Sequence, residues 1–177
     1  ISDLDKAKRE SEFPELRRPE RFIHIEPTLQ DLITFEYQHL RPVAAISAYI
    51  ETLENQITCI VFAPTEDRCL VVPFHSRTQP DGNYWRTLDD EMKAWDWVRR
   101  ICAMNKPFIF QNGLYDMHVL WKQYGIPVPH AIDDTMLMHH ALQPEMEKGL
   151  GFLGSVYTNE AAWKFMRHDN ETLKKED

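Results

Sequence analysis

The fold of this chain is decided by the stretch Phe108-Ile109-Phe110-Gln111-Asn112-Gly113-Leu114-Tyr115-Asp116. An apolar run enters the stretch, a glycine interrupts it, and apolar residues at helical spacing follow through Tyr124. The pattern therefore predicts a strand, a tight turn and the start of a helix. Asn112 takes the predicted N-cap position, and Asp116, four residues later, lies on the same helical face.

An amide beside a carboxylate at a strand end allows two interpretations. α/β proteins place chemistry at the carboxyl ends of parallel strands, which makes Asn112 and Asp116 candidate functional residues. The alternative is an ordinary helix cap followed by a solvated aspartate. A second stretch, Ser47-Ala48-Tyr49-Ile50-Glu51-Thr52, favours the functional interpretation, because it places another carboxylate near a predicted strand end.

The composition limits the classes of function. A chain of 177 residues suits one globular domain, and its net charge of -8 argues against a broad basic surface for duplex DNA. No apolar run approaches the ~20 residues of a membrane helix, and the chain does not begin with a signal-peptide pattern. Cys59, Cys69 and Cys102 lack metal-ligand spacing and are typical of a reducing setting. We therefore expect a cytoplasmic protein with no membrane partner.

Periodicity and turn signals divide the chain. Residues 1–20 are charged and predict a linker or arm, whereas residues 21–177 predict one domain. Because the first residue is Ile, we expect a piece of a longer chain. Strands are predicted at 22–25, 43–51, 56–63 and 68–74, and in the stretch quoted above. Helices are predicted at 28–40, 87–102, 113–124, 135–142 and 148–157.

The order of these elements predicts an α/β fold. Three early strands with short turns form an antiparallel meander, and a later strand joins the mixed sheet through crossover helices that flank it. Residues 75–86 form the predicted mobile surface loop, in which the role of Trp85 is left open. Trp121 is expected in the core. The helix that Thr87 caps is expected to bury a stripe of Leu88, Met92, Trp95, Val98 and Ile101/Cys102.

The strand that ends near Glu51 alternates between two faces. Period two places Tyr49 and Glu51 on one face and Ala48 and Ile50 on the other. An acidic residue at a strand end is usually solvated. Together with an amide and a carboxylate at a second strand end, Glu51 becomes a candidate metal ligand.

These motifs resemble the proofreading 3'-5' exonuclease domain of DNA polymerases, a ribonuclease-H-like family that uses four acidic residues. Its first motif is Asp-x-Glu-Thr on the first strand, and its second has an Asn followed by Phe/Tyr-Asp at a helix start. Ile50-Glu51-Thr52 and Asn112-x-x-Tyr115-Asp116 are similar to these motifs, and Asp133-Asp134-Thr135-Met136-Leu137 is similar to the stretch after them. The resemblance spans roughly residues 22–158 and is closest in character to bacteriophage polymerases of the polymerase-I type.

The resemblance implies a ribonuclease-H-like fold and metal-dependent hydrolysis of phosphodiesters at a DNA 3' end. It implies that Glu51 and Asp116 are catalytic carboxylates and ligands of Mg²⁺ or Mn²⁺ in a two-metal site. The implied substrate-binding residues are Thr52, Leu53, Asn112 and Tyr115. The implied partners are a single-stranded DNA 3' end and a polymerase domain of the same parent chain, in a bacterial or phage-infected cell.

Two departures from the family pattern predict impaired hydrolysis. The Asp of the first motif falls on Tyr49, and a phenol cannot bridge two metal ions as a carboxylate does. The last motif, a Tyr or His followed four residues later by Asp, is absent, and we expect it shortly beyond Asp177. The alternatives to an impaired exonuclease are an inactive scaffold of a polymerase or a polymerase module that binds single-stranded nucleic acid. A stand-alone RNA-processing exonuclease is a third possibility. If the chain cuts nucleic acid as it stands, Asp134 and Asp169 are the further candidate catalytic carboxylates.

Two further groups of polar residues have structural interpretations. His139 and His140 lack the i, i+4 spacing of a helical zinc site, so structural or surface roles are expected. Asp133 and Asp134 precede a helix and are predicted caps of that helix. One of these two aspartates is also a candidate for contact with the metal ligands.

Overall fold

The computed structural model describes residues 20–130 and 132–158, together with residues 4, 7, 8 and 11–13. The chain divides into two compact units: Arg21–Thr135, and Ile1–Glu20 together with Met136–Asp177. The predicted arm at 1–20, as well as Trp163, Asp169 and Asp177, falls largely or wholly outside the described residues. Within the described part, no helix has both the length and the apolar character needed to cross a bilayer.

The unit Arg21–Thr135 contains a mixed six-stranded sheet. Its strands are β1 (Phe22–His24), β2 (Ile46–Leu53), β3 (Gln56–Thr65), β4 (Arg68–Pro73), β5 (Phe108–Phe110) and β6 (Ile132–Asp134). They lie in the order β1-β4-β3-β2-β5-β6. Strands β2, β3 and β4 form the antiparallel meander, while β1 pairs with β4, β5 with β2, and β6 with β5 in parallel. The predicted α/β fold is therefore confirmed.

The helices begin and end at residues whose local chemistry explains their bounds. They are α1 (Leu29–Phe35), α2 (Leu88–Cys102), α3 (Gly113–Tyr124), α4 (Thr135–Leu142) and α5 (Leu150–Tyr157). Thr28 and Asp31 form the predicted capping box of α1, and the hydroxyl of Thr87 accepts from the N–H of Asp90 at the start of α2. Gly125, at a φ of 61°, ends α3 in the left-handed conformation.

The segment after α1 corrects the predicted helix at 28–40. Glu36–Leu40 continues the chain as a π-helical turn, and Glu36 is fully buried there. Its two carboxylate oxygens accept from Arg41 and Arg100, each at 2.7 Å. A buried carboxylate requires such pairing, because an uncompensated charge would be strongly destabilising. Arg100 thus links the π-helical turn to α2, whereas Arg41 lies directly after the turn itself.

The core lies between the sheet and α2, and it corrects three sequence predictions. The helix buries Ala94, Trp97, Val98 and Ile101, whereas Leu88 and Met92 are exposed. Trp97 meets Phe62 of β3 edge to face and so packs this face of the helix against the sheet. Trp121 is exposed, since Val119 and Leu120 form the buried side of α3, while Trp85 is buried. Trp95 is partly buried and stacks between Phe74 and Tyr124.

The turn between β5 and α3 leaves no space for a side chain at Gly113. A Cβ built at this position would lie 2.5 Å from the Cβ of Phe110, which is far closer than real Cβ contacts. Asn112, directly before it, adopts the left-handed conformation with φ 58° and ψ 45°. The tight turn predicted from the sequence is therefore present, and only glycine fits its second position.

We predict that Gly113→Ala lowers the free energy of unfolding by about 1–3 kcal/mol, because the added methyl group forces Phe110 or α3 to shift. Denaturant unfolding measures this change. Gly149→Ala is the matched control, since a Cβ there meets nothing within 4 Å. Equal stability of the two variants would contradict the close packing described for the turn.

Candidate active site

The end of β2 presents a polar face on one side and a buried face on the other. Ile46, Ala48 and Ile50 are buried, whereas Tyr49 on the opposite face is 40% exposed. The predicted alternation of this strand is therefore confirmed. Glu51 and Thr52, near its end, are both partly buried. They lie at the edge of the sheet from which the first turn of α3 also begins.

A β-bulge shapes the strand at this position. Glu51 pairs with Cys59 of β3, but the next residue, Thr52, pairs with Ile57, so that Thr58 is the extra residue. The hydroxyl of Thr58 donates to the backbone carbonyl of Glu51 at 3.1 Å. Bulges increase the local twist and redirect side chains, often beside active sites. This one lies directly at the predicted functional carboxylate.

Asp116 connects the first turn of α3 to β2. Its Oδ1 accepts from the backbone N–H of Ile50 at 2.9 Å, and the residue is only 3% exposed. Burial raises the pKa of Asp116 to about 6, and the N–H of Ile50 acts against this rise by stabilising the carboxylate. The negative charges of Asp134 and Glu51 raise the pKa further. The charge of Glu51 on β2 therefore acts on the carboxyl group of Asp116.

A second hydrogen bond joins the same two elements. The hydroxyl oxygens of Tyr115 and Thr52, both predicted substrate-binding residues, lie 2.7 Å apart. Leu53, Leu114 and Tyr115 are exposed around this contact. Exposed aromatic and aliphatic side chains are suited to stacking on bases or sugars. The fold thus brings residues from both predicted motifs to one end of β2.

Tyr49 is the residue at which the resemblance described above predicts the carboxylate of the first motif. Its hydroxyl donates to Oε1 of Glu51 at 3.0 Å. The phenol therefore supplies a neutral hydrogen-bond donor beside Glu51 rather than a second anion. This contact is local, between residues two apart on one strand face, and the sequence alternation predicted that shared face.

Asn112 lies at the predicted N-cap position but does not act as a side-chain cap. It is left-handed, and its side chain makes no capping hydrogen bond. The cap comes instead from Asp134, whose two carboxylate oxygens accept from the N–H groups of Asn112 at 3.1 Å and Gly113 at 2.8 Å. Sequence reasoning assigned Asp134 to the helix that follows it. The bonds to α3 depend on the pairing of β5 with β6, which no local pattern reveals.

The described side chains do not fit a two-metal centre. Among residues 20–130 and 132–158, no group of three or more His, Cys, Asp or Glu side chains is placed to hold a metal ion. Oδ1 of Asp116 and both carboxylate oxygens of Asp134 already accept from backbone N–H groups. Two ions about 3.5–4 Å apart need several converging carboxylates. The predicted ligands Glu51 and Asp116 alone do not provide this set.

The histidine pair occupies a structural position in the second unit. His139 is buried, and its Nδ1 lies 2.9 Å from the hydroxyl of Tyr157. Its ring also packs against Phe152 at 6.0 Å between centroids. His140, by contrast, is exposed. The two side chains therefore point to different environments.

Comparison with known proteins finds one family model that matches more than half of this chain. The family model described as 3'-5' exonuclease matches residues 45–170. Escherichia coli RNase D, an exoribonuclease involved in structured RNA processing, has a TM-score of 0.58 and 17% identity over 80% of this chain and 34% of its own. Brucella melitensis NrnC bound to pGG has a TM-score of 0.51 and 17% identity over 81% of this chain and 63% of its own. This chain therefore spans about a third of the first protein and less than two thirds of the second.

A third solved structure also matches much of this chain. The EXD2 exonuclease domain soaked in Mn and GMP has a TM-score of 0.49 and 13% identity, over 72% of this chain and 64% of its own. No curated protein matches the chain in sequence. The two structures with higher scores share the fold at low identity, and the family match covers both motifs at the end of β2.

We predict that Asp116→Asn changes the pH dependence of stability. The pKa of Asp116 is higher in the folded chain than in the unfolded one. The free energy of unfolding therefore decreases as pH rises from about 4 to about 6 and the carboxyl group ionises. Asparagine does not ionise, and its Oδ1 can still accept from the N–H of Ile50. The free energy of unfolding of Asp116→Asn minus that of the unsubstituted chain should therefore increase by on the order of 2 kcal/mol between pH 4 and pH 7.

Denaturant unfolding at the two pH values measures this difference, with the exposed Asp133→Asn as control. The control should show no comparable change. A stability difference for Asp116→Asn that does not vary with pH would mean that the buried carboxyl is not the source of the effect.

Proposed function

Because the chain belongs to the 3'-5' exonuclease family, we propose that it is the exonuclease domain of a DNA polymerase of the polymerase-I, bacteriophage-like type. Its substrate is the single-stranded 3' end of DNA, and its partner is a polymerase domain of the same parent chain. The observation that supports this proposal best is the meeting of the two motifs at one end of β2. Asp116 bonds to the N–H of Ile50, and Tyr115 contacts Thr52.

The 3' end binds beside the exposed side chains at this end of the sheet. Leu53 and Tyr115 flank the hydroxyl contact between Tyr115 and Thr52, and both present exposed surface. Stacking on such surfaces tolerates any base sequence, as proofreading of a growing strand requires. Asn112, which is exposed and left-handed at the start of α3, offers its amide to the terminal nucleotide. A narrow site of this kind is compatible with the net charge of -8, which disfavours broad contact with duplex DNA.

Hydrolysis by this domain is impaired, because Tyr49 replaces a carboxylate beside Glu51. The phenol cannot provide the negative charge that a divalent ion requires, and it takes one hydrogen-bonding position on Oε1 of Glu51. Asp116 is partly protonated near neutral pH, since its pKa is about 6. The family reaction is metal-dependent cleavage of a terminal phosphodiester. Binding of Mg²⁺ or Mn²⁺ by this chain is correspondingly weak.

The bond between Tyr49 and Glu51 also favours a second candidate function. A domain whose carboxylate is held by a neutral phenol can bind the 3' end without cutting it, and then acts as a module for single-stranded nucleic acid. The contacts proposed for the terminal nucleotide are the same in both cases. The two functions differ only in whether the terminal phosphodiester bond of the nucleic acid is hydrolysed.

We predict that Tyr49→Asp increases degradation of a 3'-labelled single-stranded oligonucleotide in Mn²⁺ by roughly tenfold or more, because it restores an anionic ligand beside Glu51. Tyr49→Phe is the matched control, since it removes the hydroxyl without adding charge. The release of labelled nucleotide over time measures the rate. Binding of the oligonucleotide to each variant is followed by fluorescence anisotropy without metal.

Binding by all three chains, with faster cutting by Tyr49→Asp alone, supports the exonuclease proposal. Binding with no cutting by any chain supports the second candidate. If no chain binds the oligonucleotide, both candidates fail. Rapid cutting by the unsubstituted chain would contradict the role assigned to Tyr49.

A further inference from the structure

The start of α3 has no capping group of its own. Asn112 is left-handed and makes no side-chain capping bond, and Gly113 is pressed against Phe110. The first N–H groups of a helix have no partner within the helix and must find one elsewhere. The start of α3 therefore depends on a group from another element.

That group is the carboxylate of Asp134 at the end of β6. Register places Asp134 opposite Phe110 in the parallel pairing of β5 and β6. One carboxylate oxygen accepts from Asn112 at 3.1 Å and the other from Gly113 at 2.8 Å. The hydroxyl of the next residue, Thr135, donates to the carbonyl of Phe110 at 3.2 Å. Two consecutive residues of β6 and α4 thus hold both sides of the turn.

We propose that Asp134 is a positioning residue for Asp116, acting through the start of α3. Asp116 lies three residues after Gly113, about one helical turn along the axis, so any shift at the start of α3 moves its carboxylate. The hydrogen bond from the N–H of Ile50 to Asp116, at 2.9 Å, requires α3 to keep its position along its axis and its rotation about that axis. Asp134 determines both through its two bonds to the turn.

The contact with Asp134 also determines which anionic group occupies the positive, N-terminal end of the α3 dipole. Helix N-termini attract anions, including phosphate groups, through their N–H groups and dipole. At α3 a carboxylate of the chain itself already occupies this position. The phosphates of a bound 3' end therefore lie elsewhere, on the side of the sheet end that carries Glu51 and Tyr115. This last step rests on the proposed function, whereas the positioning of Asp116 does not.

Amide hydrogen exchange on the full chain, without nucleic acid, tests the positioning role. In Asp134→Ala, exchange at Ile50, Asn112 and Gly113 should accelerate by roughly tenfold or more, because their acceptors are lost or displaced. Ile60 and Val72 are buried residues of the paired strands β3 and β4, and their amides should change little. Asp134→Asn retains one acceptor oxygen and should give a smaller acceleration at the same three amides.

Asp133→Ala is the matched control, since Asp133 is exposed and adjacent on the same strand. Equal acceleration at every amide in both Asp134 variants would show a general loss of stability and overturn the proposal. Unchanged exchange at Ile50 in Asp134→Ala would also overturn it. If Asp134→Ala does not fold, the same comparison with Asp134→Asn decides. Because no oligonucleotide is present, this result is separate from the success or failure of the proposed function.

Discussion

The structure depends on one hydrogen bond, from the backbone N–H of Ile50 to the carboxylate of Asp116. Strand β2 pairs with β5 only at Ile46 and Ser47 and then continues beyond the end of its neighbour. The N–H of Ile46 bonds to Pro107, and the N–H of Ile50, four residues later, points to the same edge. A buried N–H without a partner is costly, so the first turn of α3 must complete the ladder. The fold and the candidate site therefore share this contact.

This contact also sets the chemistry available at the end of β2. It draws a carboxyl group out of solvent, which raises its pKa, and brings it near Glu51. Tyr49 then supplies a neutral hydroxyl to Glu51. The arrangement brings residues of the two motifs together at one end of β2. In the part of the chain that the structure describes, no group of three or more potential ligands is placed there to hold a metal ion.

The sequence predicted the features that arise from local chemistry. The meander follows from alternation and short turns, and the helix bounds follow from Thr28, Thr87 and Gly125, whose capping roles depend only on near neighbours. The alternation of β2 likewise placed Tyr49 beside Glu51. Long-range register was not accessible in the same way. The bond of Asp134 to the start of α3 exists only because β6 pairs with β5, and the burial of Trp85 and exposure of Trp121 depend on tertiary packing.

Among residues 20–130 and 132–158, Glu51 and Asp116 lie at one end of β2 without a cluster of three or more side chains placed to hold a metal ion. Diffraction from crystals soaked in Mn²⁺, measured for anomalous scattering, shows directly whether this end of the sheet holds two ions. We expect no pair of ions between Glu51 and Asp116, with the N–H of Ile50 still bonded to Asp116. Two fully occupied ions about 3.5–4 Å apart at this position would contradict this expectation.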